Sequence, residues 1–108
     1  MAQDYVILND NSENGLIAIN KSVFQSIVEI SVDDLENTVR VSETRFNRPL
    51  QVKIEKNKLF VETDIKVKYG ANVAATCELL QNKIYENILY MTGFKVSEVT
   101  VNVKGFEI

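Results

Sequence analysis

The stretch from Leu50 to Tyr69 constrains the fold more than any other part of the chain. Leu50, Val52 and Ile54 alternate with Gln51, Lys53 and Glu55, and beyond Glu55-Lys56-Asn57-Lys58 the alternation resumes through Leu59, Val61, Thr63, Ile65, Val67 and Tyr69. A period of two is that of a strand with one apolar face, and asparagine tolerates the left-handed backbone of a tight turn. The segment therefore reads as a β-hairpin. Its opposite face carries Gln51, Lys53, Phe60, Glu62, Asp64, Lys66 and Lys68, mostly hydrophilic, so one side meets a core and the other meets water.

Two helices are available to cover the apolar side. After Asn20, a suitable N-cap, Val23, Phe24, Ile27, Val28 and Ile30 recur at helical spacing, and this helix ends near Asp33. After Gly70, Asn72 can cap a second helix in which Val73, Cys77, Leu80, Ile84, Ile88 and Met91 step by three or four. Gly93 is placed to end it. Tyr85, Leu89 and Tyr90 widen its apolar arc beyond what one packing contact needs, which suggests self-association or partner docking.

Strands flank these elements. Gly15 to Ile19 reads as a short strand after the turn-rich run from Asn9 to Asn14, Val39 and Val41 alternate, and Val99, Val101 and Val103 form a last strand closed by Gly105. Tyr5 to Leu8 is an extra edge strand or an arm, so residues 1–14 stand apart from a single domain over 15–108. Glu43 to Pro49, with the one proline, reads as an exposed loop. The order β-α-β-β-β-α-β specifies an α+β fold, a two-layer sandwich with both helices on one face of a mixed or mainly antiparallel sheet.

At 108 residues the chain has room for one core. The longest apolar runs, such as Tyr5-Val6-Ile7-Leu8, fall far short of the ~20 residues a membrane-spanning helix needs. Met1-Ala2-Gln3-Asp4 lacks the basic start and apolar stretch of a secretion signal, so the expected location is the cytoplasm. The lone Cys77 forms no internal disulfide, in keeping with a reducing compartment.

Chemistry is scarce. The chain has no histidine, which removes His-based triads and most zinc sites. Cys77 lies on the apolar stripe of the second helix with no histidine to activate it, and reads as a packed hydrophobe. Asp33, Asp34 and Glu36 cluster at a helix end without the spaced oxygens of a calcium loop, and read as a solvated surface. The glycines are isolated, so no phosphate-cradling loop exists. No catalytic, cofactor-binding or metal-binding residue is assigned.

The segments Lys68-Tyr69-Gly70, then the apolar-striped helix ending in Met91-Thr92-Gly93, then Val96 and Val99-Thr100-Val101-Asn102-Val103-Lys104-Gly105, resemble the C-terminal signature of the alkaline-shock-protein family. These are envelope-stress proteins of Gram-positive bacteria. Gly15, Ile17 and Ile19, followed by a helix with Val23 and Ile27, are similar to the family's opening, so the likeness spans about Gly15 to Gly105. The resemblance implies a cytoplasmic protein with no recognised enzymatic activity, tied to cell-envelope homeostasis and alkaline or general stress. Some members of the family self-associate and sit at the inner face of the membrane through a separate anchoring protein, and others are linked to lipid metabolism; the resemblance points to a homo-oligomer. The family has no established catalytic residues to carry over.

The expected function is accordingly that of a non-enzymatic adaptor or scaffold acting through copies of itself and protein partners. The rival is a nucleic-acid-binding module. Arg40, Arg45, Arg48, Lys53, Lys56, Lys58, Lys66 and Lys68 outnumber Glu43, Glu55, Glu62 and Asp64 on and near the 50–69 hairpin, and Phe60 offers a base-stacking ring. Interleaved acids argue instead for cross-strand ion pairs on a wet face. Direct contact of that face with anionic lipid is a third reading of the same charges.

Overall fold

The computed structural model describes residues 3–8, 15–35, 39–41 and 50–107. In chain order the elements are β1 (Tyr5–Leu8), β2 (Ile17–Asn20), α1 (Lys21–Asp33), β3 (Val39–Val41), β4 (Leu50–Glu55), β5 (Lys58–Lys68), α2 (Val73–Thr92) and β6 (Glu98–Glu107). From β2 onward this is the β-α-β-β-β-α-β order of the sequence reading. The expected turn at Asn9 to Asn14 and loop at Glu43 to Pro49 lie outside the described residues.

The β4–β5 hairpin forms where the alternation places it. Lys56 and Asn57 both take positive φ, 52° and 58°, the mirror-image two-residue turn whose twist matches that of paired strands. Pairs run from Glu55 opposite Lys58 to Leu50 opposite Thr63. β5 is the centre of the sheet: β4 and then β3 lie antiparallel along one edge, and β6 lies parallel along the other. The parallel pair needs a crossover, and α2 supplies it.

Burial follows parity without exception along the hairpin. Leu50, Val52, Ile54, Leu59, Val61, Thr63, Ile65 and Val67 are buried, while their even or odd neighbours on the other face are not. Both helices lie on that buried face, α1 toward β4 and α2 toward β6, and one continuous core joins them.

The helix faces differ in detail from the spacing argument. In α1 the buried residues are Phe24, Ile27, Val28, Ser31 and Val32, an i, i+3, i+4, i+7, i+8 stripe, so Val23 and Ile30 fall on its border and are 42% and 50% exposed. In α2 the buried line is Thr76, Leu80, Ile84 and Ile88. A strict step of four drifts around the helix and arrives at Thr92, which is half-buried, leaving Met91 59% exposed.

Ser31 and Thr76 are buried hydroxyl residues that apolar periodicity missed. Ser31 donates to Ile27 O (2.8 Å) and accepts from Asn87 Nδ2 (2.9 Å), joining α1 to α2 with its polar atom satisfied. The caps are as expected: Asn20 accepts from Ser22 N, Asn72 accepts from Ala75 N, and Gly93 ends α2 in the left-handed conformation (φ 77°) with its N–H on Leu89 O.

β2 does not join the main sheet. It pairs antiparallel with β1 in a separate two-stranded ribbon, Tyr5 opposite Asn20 through Leu8 opposite Ile17. The hairpin turn holds this ribbon down. Asn57 Oδ1 accepts from Ile7 N (2.8 Å), Asn57 Nδ2 donates to Ile7 O (3.1 Å), and Asn57 N donates to Gln3 Oε1 (2.7 Å). Gln3 N in turn donates to Ile54 O, and Val6 is fully buried in the main core.

Candidate functional site

The reactive groups are few, and their surroundings quieten them. Cys77 sits half-buried on α2 against the core, and burial raises its thiol above the ordinary cysteine range. A raised pKa lowers the thiolate fraction at neutral pH, the opposite of what a nucleophile needs. Alkylation of the native protein by iodoacetamide is expected to be slower at neutral pH than that of the urea-unfolded chain, with a pH midpoint displaced upward. A native midpoint below that of the unfolded chain would contradict the assignment.

The acidic helix end is also accounted for. Asp34 caps α1, and its carboxylate faces Lys83 Nζ of α2 at 3.6 Å, an exposed pair of small energetic weight. Glu36 lies outside the described residues. Among the described residues, no group of three or more His, Cys, Asp or Glu is placed to hold a metal ion.

The open face of the sheet is where the rival reading would act. Register sets Lys53, Phe60 and Glu98 side by side across β4, β5 and β6, with Gln51, Glu62 and Thr100 in the next row. Together they line a shallow groove of about 320 Å³. Phe60 is half-buried, and Lys53 pairs with Glu55 at 3.4 Å. Further along, Asn102 Nδ2 donates to both Glu62 Oε1 (2.9 Å) and Asp64 Oδ1 (3.0 Å).

β6, which the hairpin sequence alone does not include, thus brings Glu98 onto this face and an amide that holds two carboxylates in place. A polyanion laid along the groove meets carboxylates between the lysines, and the Phe60 ring is no protruding platform for a base. Arg45 and Arg48 lie outside the described residues, and the backbone of Arg40 pairs with Lys66.

The surface that stands out is apolar. Gly93 brings the end of α2 against the ribbon, with Leu8 Cδ1 3.9 Å from where a β-carbon at that glycine would stand, and Leu8 is opposite Ile17. At the ribbon Leu16 (76% exposed) and Ile17 (45%) are left in water, as are Tyr90 (91%) and Met91 (59%) near the end of α2. Exposed apolar side chains of this size are candidates for docking contacts. Of these the sequence signalled Tyr90 alone, since Met91 was placed in the packed stripe of the second helix; Leu16 and Ile17 were assigned to a strand with no sign that the strand would lie outside the main sheet.

No helix among the described residues is long and apolar enough to cross a membrane. The model of the alkaline shock protein 23 family, described as having a cell envelope-related function, matches residues 9–108, which is β2 onward and the run leading into it. No curated protein and no solved structure matches the chain. The matched span takes in the Tyr-Gly, Met-Thr-Gly and Val-rich segments that carried the resemblance, and the chain belongs to this alkaline-shock family, whose function is cell envelope-related.

Proposed function

We propose that the protein is a non-catalytic adaptor of the cell envelope, working at the cytoplasmic side by binding copies of itself and an envelope-associated protein that anchors it to the membrane. The observation that carries this reading is the set of large apolar side chains left in water, among them Leu16, Ile17, Tyr90 and Met91. A side chain such as Tyr90 loses little conformational entropy on docking and contributes a large contact area. The raised thiol of Cys77 and the paired Asp34 support an exterior built for contact rather than reaction.

The test is quantitative capture from cells with the wild-type chain and a Tyr90→Ser/Met91→Ser variant side by side. A membrane protein retained at least about tenfold better by the wild type is expected, matching the ~2 kcal/mol or more that a central aromatic anchor contributes. Equal recovery of every membrane protein by both chains would remove Tyr90 and Met91 as the adaptor surface.

A further inference from the structure

β6 is ten residues long and is bonded to β5 along one side; among the described residues no strand pairs with its other side. An edge of that length not taken up by a strand is a template for a further one, with one carbonyl of β6, Val99 O, already accepting from Gln81 Nε2 (3.1 Å). Up to a bulge at Lys104 the alternation is regular. Val99, Val101 and Val103 lie in register with the helix-facing Val61, Thr63 and Ile65, and Glu98, Thr100 and Asn102 lie on the open face.

The two ends of β6 answer each other. Past the bulge, Phe106 is opposite the buried Val67 yet is 52% exposed, its ring edge-on to Tyr69 at 6.2 Å. At the other end, Gln81 and Tyr85 of α2 and the segment from Val96 to Val99 line a notch of about 240 Å³ on the same helix-bearing side. Antiparallel pairing of β6 with a second β6 carries the C-terminal end of each strand to the N-terminal end of the other. An exposed phenylalanine then arrives beside an unfilled notch, twice.

Charge selects the register. Centred on Val101, the pairing sets Val99 opposite Val103, Thr100 opposite Asn102 and Glu98 opposite Lys104. Shifting by two residues sets Glu98 opposite Asn102 or Phe106 instead, and odd shifts put the valines against polar residues of the other face. We propose that two copies of the chain join through their β6 edges in this register, forming one sheet across a twofold axis. The inference rests on the self-association proposed above and names its surface. A twofold contact uses the same edge on both partners, so the assembly closes as a dimer instead of growing.

The test is sedimentation of the full chain as wild type, Phe106→Asp, Glu98→Lys, Lys104→Glu and the double charge reversal, with thermal melts to show that each is folded. The wild type is expected to dimerise reversibly. Phe106→Asp should weaken the dimer at least about tenfold and each single reversal roughly tenfold, while the double reversal recovers to within about threefold of wild type. A dimer indifferent to all the single changes, or single losses that the double reversal does not repair, overturns the β6 assignment and leaves self-association standing. A monomer throughout overturns both.

Discussion

Replacing Phe24 with alanine is expected to destabilise the protein by about 3–5 kcal/mol, a large part of the ~5–15 kcal/mol that a domain of this size possesses. Phe24 is fully buried in α1 and packs against Phe94, ring centroids 6.0 Å apart, at the point where α1 and the end of α2 converge on the ribbon. Truncation leaves a cavity that neighbours on three elements cannot all close, and the lost contacts add to the lost transfer energy. The adjacent Val23 points to water, so Val23→Ala should change stability by less than ~0.5 kcal/mol. Urea unfolding of the two variants checks both values. Comparable losses would mean that the helix presents a different face to the sheet.

The second large effect concerns β1, which precedes the span matched by the family. Removing residues 1–8 is expected to cost roughly 3 kcal/mol. Val6 is fully buried and contributes about 1.5–3 kcal/mol, and the bonds of Ile7 and Gln3 to Asn57 and Ile54 each add about 0.5–1.5 kcal/mol, offset by the entropy of ordering the strand. Asn57→Gly isolates part of this. Glycine keeps the positive φ of the turn but removes the side-chain amide that brackets Ile7, so a loss of about 1 kcal/mol is expected. If the truncated chain unfolds at the same urea concentration as the whole, β1 is an ornament and not a part of the core.

The hairpin was legible because strand parity is a strict rule and every position of β4 and β5 obeys it. Caps were legible for a similar reason: Asn20, Asn72 and Gly93 each answer a local backbone need that no distant contact overrides. What sequence spacing missed depends on distant partners. Ser31 is buried because Asn87, 56 residues away, supplies its hydrogen bond, and a serine carries no apolar signal. Val23 and Ile30 were taken into the stripe because a helix is 3.6 residues around, and a border residue cannot be told from a central one until the neighbouring helix is placed.

The full charge of the open face was not legible for the same reason. The hairpin alone has an excess of lysines, and only the parallel pairing of β6 delivers Glu98 and Asn102 beside Phe60, Glu62 and Asp64. Likewise Leu16, Ile17, Tyr90 and Met91 are left in water although each belongs to an apolar run of its own segment. Local periodicity predicts which face of an element is apolar; it does not say which apolar faces the fold will leave uncovered.

The account stands on a single-sided core whose exterior is a contact surface, and self-association tests it most directly. Sedimentation equilibrium of the unmodified chain from about 1 to 100 μM, the range over which a contact of modest size is half-formed, is the measurement to make. A mass that rises reversibly with concentration from that of one chain to that of two is predicted. One chain's mass across the whole range would contradict it.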